Sequence, residues 1–539
     1  MRKRPPRVGL KESGGRRAKS RRLDGKGPFR MRREGIKAYT VVFLASFCML
    51  VIEVVAGRIL APYVGVSLYT WTSIIGVVLA GISAGAYLGG VVADKHPRLS
   101  TLGWILLLSG LGAFAIPSLT HWMGGTHFHT ALMARILLIT AVIFFMPSCF
   151  LGMVSPVAVK LKLGNLERTG NVVGNIYAFS TLGSILGAFT TGLILISWMG
   201  TRNLLFATGV LLLLSAPLFG GFFTHRGRIA LFFLLLPFLW PLYHYGFNPG
   251  LDKETLFFKE SNYYTIRLKG TPGNGKGRLI TLYLDQLTHS CSDPDNPLHL
   301  QYRYIRSYQE IVRWQAAQRK SFKALFIGGG GYTFPRFIET TYPSAEIDVV
   351  EIDPAVTQVS QKFFGISKAS RIRTFNEDAR WFVMNRTEEE GYDFIFEDAF
   401  NDLSIPYHLT TREFAVQLKR LLKRDGLLLT NVIDRFEKGS FLPSYIRTLE
   451  EVFGRDDVHL ITLGPFHDHA GVMNRVVLTS PQRLDIDDLI RSLSSLEESE
   501  RISHVMPPDQ LQHYLRQFDP VILTDDYAPV DNLTAPNFE

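Results

Sequence analysis

The chain has 539 residues, a formal net charge of +10 at pH 7 and a hydrophobic fraction of 47%. The length allows more than one domain, and the hydrophobic fraction is high for a soluble protein. The three cysteines, Cys48, Cys149 and Cys291, stand at no metal-ligand spacing, so they indicate neither a disulfide framework nor a zinc site. Long apolar runs end near residue 247, which predicts a membrane-embedded half followed by a soluble half.

The basic charge is concentrated at the N-terminus. Residues 1–37 contain fifteen lysines and arginines against three acidic residues, with almost no large apolar side chains. This composition predicts a disordered cytoplasmic tail that contacts anionic lipid headgroups rather than nucleic acid. No A-x-A-like cleavage site follows the first apolar run, so we expect that run to remain as a helix.

Seven segments in residues 38–247 are long and apolar enough for transmembrane helices, each of which needs about 20 residues. The sequence therefore predicts a transmembrane bundle of about seven helices in a multi-pass protein of the bacterial inner-membrane type. The predicted spans are residues 38–60, 71–93, 101–119, 131–154, 172–198, 203–223 and 229–247.

Small residues recur at steps of four in two of these spans. They are Gly81, Gly85 and Gly89 in the second span, and Gly183 and Gly187 in the fifth. Helices in lipid associate through close backbone approach, so we interpret these glycines as packing positions.

Two ionisable residues, Glu53 and Arg58, fall inside the first span. Charged groups at membrane depth are costly and often functional. Two interpretations stay open: an ion pair that fixes the bundle, or a polar path for a substrate.

The loops indicate the orientation. Lysine and arginine cluster in 94–98, 160–168 and 225–228, and they are absent from 61–70 and 121–130. The positive-inside rule therefore places the N-terminus in the cytoplasm.

The side of the membrane that holds the soluble half is open at this point. Seven spans would leave residues 248–539 on the outer face. If 229–247 lies on the surface or re-enters, that half is cytoplasmic.

The soluble half alternates short β-like runs with amphipathic stretches, which predicts parallel βαβ units. Residues 323–327 form an apolar run that leads into four glycines, 328–331, and then a predicted helix from Phe334. Glycines at a strand-to-helix turn let the backbone approach a ligand closely.

Acidic residues follow the other predicted strands. Glu351 and Asp353 come about 20 residues after the glycines, where an acid accepts hydrogen bonds from ribose hydroxyls. Asp378 and Asp398 end the next two segments. In a doubly wound sheet these groups converge on one crevice, which predicts a nucleoside site. No G-x-x-x-x-G-K-[ST] motif is present, which disfavours phosphoryl transfer through a P-loop.

Several motifs resemble the spermidine synthase family of aminopropyltransferases, and in particular its membrane-fused members. They are ESNYY at 260–264, LYLD at 282–285, SYQE at 307–310, YDFIFED at 392–398, LTTREF at 409–414 and TDDYAPV at 524–530. The resemblance implies a small β-rich segment at 250–320 and a Rossmann-like, methyltransferase-type α/β domain at 321–539.

The resemblance also implies roles for individual residues. Asp398 would be the catalytic proton acceptor, and Tyr308, Gln309 and Asp402 would face the amine substrate. Decarboxylated S-adenosylmethionine (or S-adenosylmethionine) would be the co-substrate, with no metal and no permanently bound cofactor; a homodimer stays among the options. The nucleoside-binding set would be Gly328, Gly329, Gly330, Glu351, Asp353, Asp378 and Ala379.

Two positions depart from the family pattern. Gly331 stands where the family usually carries an Asp that contacts the donor amine, and Asn401 stands where a second Asp is usual. A buried ammonium without a counter-charge is costly. Two alternatives therefore remain: a methyltransferase that uses S-adenosylmethionine itself, and a transporter or sensor that binds a polyamine or nucleoside without turnover.

Overall fold

A computed structural model describes residues 28–124, 132–163, 169–220, 254–272, 278–285, 287–317, 319–367, 369–386, 391–399, 405–464, 471–498 and 500–538. Three earlier predictions fall outside these residues in whole or in part: most of the basic tail, the seventh span at 229–247, and Asp402.

The described part of the N-terminal half is helical. Six helices there are long and apolar enough to cross a membrane: 36–64, 68–95, 99–123, 133–162, 169–199 and 201–219. They correspond to the first six predicted spans. The helices are α1 Pro28–Val64, α2 Leu68–Lys95, α3 Leu99–Gly124, α4 Leu132–Gly152, α5 Val154–Lys162, α6 Thr169–Thr190, α7 Ile196–Met199 and α8 Thr201–Gly220, with a π-helical turn Thr191–Leu195 before α7.

The glycine positions confirm the packing interpretation. A Cβ atom at Gly85 would overlap the main-chain carbonyl of Cys149 in α4, and one at Gly89 would lie 2.7 Å from the Cα of Met153. On the other helix pair, a Cβ at Gly187 would lie 2.6 Å from the carbonyl oxygen of Phe47. The backbones of α2 and α4, and of α1 and α6, therefore touch because these residues have no side chain.

The helix order gives the bundle two distinct ends. One end holds the turn after Lys95 and the end of α5, where Lys160 forms a 2.7 Å ion pair with Asp94. The other end holds the connection at 65–67 and the turn at Gly200. The described basic residues of the 94–98 turn and of the end of α5 lie at the first of these ends.

The soluble half begins with a four-stranded antiparallel sheet of order β1-β2-β3-β4 among the described residues. Its strands are β1 Thr255–Glu260, β2 Thr265–Pro272, β3 Arg278–Leu284 and β4 Leu287–Ser292. The inner face carries Ile266, Leu268 and Leu282, all fully buried, and packs against the helix Pro354–Phe363.

The larger sheet has the order β12-β10-β11-β9-β8-β5-β6-β7 among the described residues. The neighbours β7, β6, β5, β8 and β9 pair in parallel, and β11 runs antiparallel to β9 and β10. This is the predicted Rossmann-like, methyltransferase-type fold, and that prediction is confirmed. The strands are β5 Lys323–Ile327, β6 Glu346–Val350, β7 Arg373–Phe375, β8 Tyr392–Glu397, β9 Leu422–Arg435, β10 Val458–Leu463, β11 Val472–Thr479 and β12 Ser503–Val505.

Helices cover both faces of this sheet, and two separate hydrophobic clusters result. Phe326, Phe394 and Phe396 stack on one face, while Leu325 and Ile395 lie buried on the other. The helices are Arg303–Ala316, Thr333–Thr341, Pro354–Phe363, Ala379–Met384, Arg412–Leu421, Phe441–Phe453, Ile486–Ser494, Pro508–Leu515 and Val530–Thr534.

The soluble half packs on the end of the bundle that holds the 65–67 connection. The amide of Leu68 donates to Asp531 at 2.7 Å, and Tyr69 donates to Asn532 at 2.5 Å. Glu260 accepts hydrogen bonds from the amide and the hydroxyl of Thr201, both at 2.6 Å, and so caps α8. The two halves therefore meet through polar contacts, at the end opposite to the Lys160–Asp94 pair.

Candidate active site

A cavity of about 340 Å³ lies at the carboxyl ends of β5, β6 and β8. Parallel strands bring their carboxyl ends to one edge of a sheet, so the residues that follow them converge there. The glycine loop, Glu351, Asp378 and Asp398 all line this cavity, and Tyr264 and His289 line it from the small sheet. The structure thus brings three of the predicted acidic groups, Glu351, Asp378 and Asp398, together in one place.

The glycine loop lies against the residue that follows β8. Gly328 has a φ of +97°, and a Cβ there would overlap the carbonyl oxygen of Asp398. The amide of Asp398 in turn donates to the carbonyl of Ile327 at 2.9 Å. Glycine is needed at 328 both for the backbone conformation and for this close approach.

Glu351 is the acid that organises the loop. Its Oε2 accepts hydrogen bonds from the amides of Gly329 at 2.9 Å and Gly330 at 3.2 Å, and its Oε1 accepts from the amide of Asp353 at 2.9 Å. Burial raises the pKa of the Glu351 carboxyl, and these amide hydrogen bonds act against the rise. The carboxylate is thereby held at the cavity wall, where ribose hydroxyls could donate to it.

The position of Asp353 corrects one sequence-based expectation. Asp353 is 1% exposed and lies outside the cavity lining. Its Oδ1 accepts from the amide of Ala355 at 2.8 Å and caps the helix Pro354–Phe363, while its Oδ2 accepts the hydroxyl of Ser261. Asp353 therefore caps this helix and contacts Ser261, and it supports the site from outside the cavity lining.

Asp378 and Ala379 form another part of the rim. Asp378 caps the helix Ala379–Met384 through the amide of Trp381 at 3.0 Å, and its other oxygen lies 3.1 Å from the Nε2 of His408. Both Asp378 and Ala379 line the cavity. An acid beside small apolar groups suits the amino edge of an adenine ring.

The chain ending reaches this rim. Arg380 donates to Asp525 at 2.7 Å through one nitrogen and again through a second, and it also donates to the carbonyl of His408 at 2.8 Å. The ion pair lowers the pKa of Asp525. The TDDYAPV segment is therefore fastened beside Asp378 by a two-pronged arginine contact.

Asp398 is held from two sides. The hydroxyl of Tyr304 donates to its Oδ2 at 2.8 Å, and the amide of Asn431 donates to its Oδ1 at 2.8 Å. Asn474 holds Asn431 in turn through a 3.0 Å hydrogen bond. Burial raises the pKa of the Asp398 carboxyl, while Asn431 and Tyr304 act against the rise. A carboxylate of this kind is fixed in position and is more basic than an exposed one.

Of the three residues predicted to face the amine, the structure describes two. Tyr308 is 2% exposed and lines the cavity beside Phe396, with ring centroids 5.1 Å apart. Gln309 is absent from the lining, because it lies one residue further along the helix Arg303–Ala316 and points to another side. Asp402 lies outside the described residues.

Sequence reasoning missed Tyr304, Asn431 and Asn474, which line the cavity and hold Asp398 directly or indirectly. The helical spacing contained a signal for Tyr304, since residues four apart share one face with Tyr308. The two asparagines lie on β9 and β11, and nothing in their local sequence indicated a site.

Position 331, where glycine replaces the family's usual Asp, has no room for a side chain. A Cβ there would overlap the hydroxyl of Ser290 and lie 3.1 Å from the ring of Phe364. Ser290 and Thr333 share a 2.8 Å hydrogen bond at this place. The wall near residue 331 is therefore lined by neutral hydroxyls and contains no carboxylate from this loop.

His289 lies on the same wall. Burial lowers its pKa to about 4, so the ring is neutral at physiological pH. Its Nε2 is buried and has no hydrogen-bond partner among the residues that the structure describes.

Comparison with known proteins finds polyamine aminopropyltransferases and also an eEF1A lysine and N-terminal methyltransferase of Bos taurus, which is 31% identical over 120 residues. Residues 307–463 match the spermine/spermidine synthase domain. The chain is 36% identical over 133 residues to a polyamine aminopropyltransferase of Vibrio vulnificus, a segment that covers 24% of this chain and 44% of that enzyme.

A longer match extends into the helical half. The chain is 24% identical over 431 residues to polyamine aminopropyltransferase 2 of Aquifex aeolicus, which covers 76% of this chain and 82% of that protein. Among solved structures, a probable spermidine synthase from Corynebacterium glutamicum aligns over 51% of this chain and 97% of its own, with 21% identity and a TM-score of 0.44. Residues 307–463 thus match the spermine/spermidine synthase domain, and the resemblance of this chain to the spermidine synthase family is confirmed.

Proposed function

We propose that this chain is a membrane-embedded aminopropyltransferase that moves an aminopropyl group from decarboxylated S-adenosylmethionine to putrescine or a related amine. One observation carries the proposal. A buried, hydrogen-bonded carboxylate, Asp398, lines the same cavity as Glu351 and the glycine loop. A base and a nucleoside site therefore lie within one cavity, as transfer from a nucleoside donor requires.

The chemistry fits these groups. An alkylamine has a pKa of about 10 and arrives mostly as an ammonium at neutral pH, so it must lose a proton before it can attack. Asp398 accepts that proton. The amine nitrogen then forms a bond to the aminopropyl carbon, the carbon–sulfur bond breaks, and the electron pair neutralises the sulfonium to give methylthioadenosine.

The remaining residues bind and orient the donor. Glu351 accepts the ribose hydroxyls, Gly328 to Gly330 let the backbone approach the nucleoside, and Asp378 with Ala379 contacts the adenine. Asp353 supports Glu351 without touching the donor. Tyr304 and Tyr308 border the path of the amine beside Asp398.

The test uses the full chain in detergent with decarboxylated S-adenosylmethionine and putrescine. We expect methylthioadenosine from the wild type and a loss of turnover of about a hundredfold or more in Asp398→Asn, with the affinity for methylthioadenosine nearly unchanged. Asp487→Asn, at an exposed position in the helix Ile486–Ser494, is the matched control. Unchanged turnover in Asp398→Asn would remove Asp398 from its role, and absence of methylthioadenosine from the wild-type reaction would contradict the transfer.

A second candidate rests on the wall near Gly331. Because Ser290 excludes a carboxylate there, a donor that keeps its own carboxylate meets no repulsion at this place. S-adenosylmethionine is such a donor, and its use would make the chain a methyltransferase. Incubation with S-adenosylmethionine separates the two, since this alternative requires S-adenosylhomocysteine as product. Tight binding of the nucleoside with neither product would favour a sensor or transporter.

We also propose that the bundle spans a membrane with its basic connections in the cytoplasm. The proposal rests on the length and apolarity of the described helices and on the positive-inside rule. The soluble half packs at the opposite end, at Leu68 and Thr201. Under this proposal the domain lies on the outer face, so its donor has to be present there.

Reporter fusions to the C-terminus test the orientation. We expect alkaline phosphatase to be active and a fluorescent protein that folds only in the cytoplasm to be dark. A fusion after residue 98 is the matched control, because it lies at the basic end and should give the reverse result. The reverse pattern at the C-terminus would place the domain in the cytoplasm and overturn this orientation.

A further inference from the structure

The loop between β1 and β2 contacts both the cavity and the helical bundle. Tyr263 and Tyr264 line the cavity. The three residues before them, Glu260, Ser261 and Asn262, all form hydrogen bonds with the helical bundle. A single five-residue segment therefore forms a wall of the candidate site and is held by the other half of the chain.

Arg58 in α1 is the central contact of this loop. Its guanidinium donates through one nitrogen to the carbonyl of Ser261 and through another to the carbonyl of Asn262. Arg58 lies six residues before the end of α1 at Val64, about 9 Å along the helix axis. A long arginine at such a depth can extend its charged group towards the helix end, and here the group reaches main-chain oxygens of the soluble half.

A continuous path leads from Arg58 to the nucleoside site. The hydroxyl of Ser261 donates to Asp353, and the amide of Asp353 donates to Glu351 at 2.9 Å. Glu351 in turn accepts the amides of Gly329 and Gly330. Each step involves a buried or half-buried polar group whose position is fixed by the next one.

We infer that Arg58 is a positioning residue for the nucleoside site, which acts across the boundary between the bundle and the soluble half. It holds the 260–264 loop so that Ser261 supports Asp353, which in turn orients Glu351 towards the glycine loop. The inference rests on the proposed nucleoside site. It assigns to the bundle a part in building that site, in addition to anchoring the domain.

The path predicts which kinetic constant changes. It ends on Glu351, which we place on the donor, and it does not pass through Tyr304, Asn431 or Asp398. Removing Arg58 should therefore weaken donor binding and raise its KM, while kcat at saturating donor changes little. A variant that was merely misfolded would lose kcat in proportion to the inactive fraction and keep its KM.

The experiment compares full-length variants in detergent by calorimetry with methylthioadenosine and by steady-state kinetics with decarboxylated S-adenosylmethionine. We expect Arg58→Gln to weaken methylthioadenosine binding by on the order of tenfold. Ser261→Ala removes the next link of the path without touching a membrane helix, and it should weaken binding in the same direction. Lys160→Gln breaks an ion pair at the opposite end of the bundle, and it should leave binding and turnover unchanged.

The outcomes separate the inference from the function on which it rests. If the wild type binds no methylthioadenosine, the proposed nucleoside site fails and takes this inference with it. If the wild type binds and both Arg58→Gln and Ser261→Ala bind equally well, the positioning role alone is overturned. An equal loss in Lys160→Gln would also overturn it, because the effect would then not depend on this contact. If Arg58→Gln does not fold, Ser261→Ala decides.

Discussion

The bundle and the soluble half are held together by different means. In the bundle, close contacts occur where side chains are missing, as at Gly85 against Cys149, and large apolar residues such as Leu193 and Trp198 face outwards. In the soluble half, the central region contains buried charged residues, among them Asp393 and Glu397, each engaged by hydrogen bonds. The close helix contacts of the bundle depend on shape, whereas the buried acids of the soluble half depend on hydrogen-bond partners.

This difference indicates which half of the chain can hold buried polar groups for a reaction. Lipid supplies no hydrogen-bond partners, so a helix pair in it is best served by small, non-polar contacts. A buried carboxylate in the soluble half is stable only with partners, and those partners also fix its position and its pKa. The chemistry is therefore expected in the half where polar groups are buried, and the bundle contributes to it through the few polar residues at one end.

The largest expected effect concerns the carboxylate that organises the glycine loop. Glu351→Ala leaves the amides of Gly329 and Gly330 without their acceptor. Hydrogen bonds to a charged group contribute about 1.5–3 kcal/mol each, so we expect methylthioadenosine affinity to fall by on the order of a hundredfold or more. Glu346→Ala is the control, because Glu346 is exposed at the start of β6, the strand that precedes Glu351. This variant should bind methylthioadenosine normally in calorimetry. Equal affinities for the two variants would show that the buried network does not build the site.

The next effect tests the bundle. Gly85→Ala forces a methyl group into the carbonyl of Cys149, whereas Gly90→Ala, five residues further along the same helix, meets no atom within 4 Å. Overpacking of this kind costs about 1–3 kcal/mol. We expect Gly85→Ala to lower the unfolding temperature in detergent and Gly90→Ala to leave it unchanged or raise it slightly. If the two variants melt alike, shape does not hold these helices together.

Most of the fold followed from residue patterns, because patterns report on burial. Long apolar runs predicted the long apolar helices that the structure describes, and the glycine loop with its flanking strands predicted the Rossmann-like domain. Steps of four predicted the contacts of Gly85 and Gly89, since a helix brings such residues onto one face. Each of these features depends only on local sequence and on a regular period.

The site was less predictable, because it depends on the direction in which each side chain points and on hydrogen-bond partners that are distant in sequence. Asp353 is two residues after Glu351 and is also a carboxylic acid. Its side chain, however, accepts a hydrogen bond from the amide of Ala355 and caps a helix. Gln309 is adjacent to Tyr308, and a helix sends neighbours to different faces. Asn431 reaches Asp398 from a strand 33 residues further along, and no local pattern contains such a pairing.

A third prediction uses a buried acid that the proposed reaction does not need. Burial raises the pKa of Glu397 to about 7, although Tyr445 and Thr430 donate to it. Since the folded state binds this proton more tightly, the stabilisation is fully present below the unfolded pKa near 4.5 and is lost as pH rises through about 7. We expect wild-type stability to fall between pH 5 and 7 by about 2 kcal/mol relative to Glu397→Gln. Thermal unfolding of both proteins in detergent across this range measures the difference, and parallel curves would mean that the acid titrates normally.

The smallest expected effect comes from removing a single hydrogen bond to the proposed base, Asp398. Tyr304→Phe removes the hydroxyl that donates to Asp398 at 2.8 Å and that opposes the rise in its pKa. The pKa of Asp398 should then rise further, because one of the two hydrogen bonds that oppose the effect of burial is lost. Because the base works when ionised, the acidic limb of the kcat/KM profile should move to higher pH, while activity on the alkaline side changes less. Tyr308→Phe makes the same chemical change one helical turn away, where the hydroxyl contacts the carbonyl of Leu429 at 3.5 Å, and its acidic limb should stay in place. A limb that moves equally in both variants, or in neither, would mean that the hydrogen bonds to Asp398 do not set its pKa. The buried polar groups that distinguish the soluble half from the bundle would then have no effect on the proposed reaction.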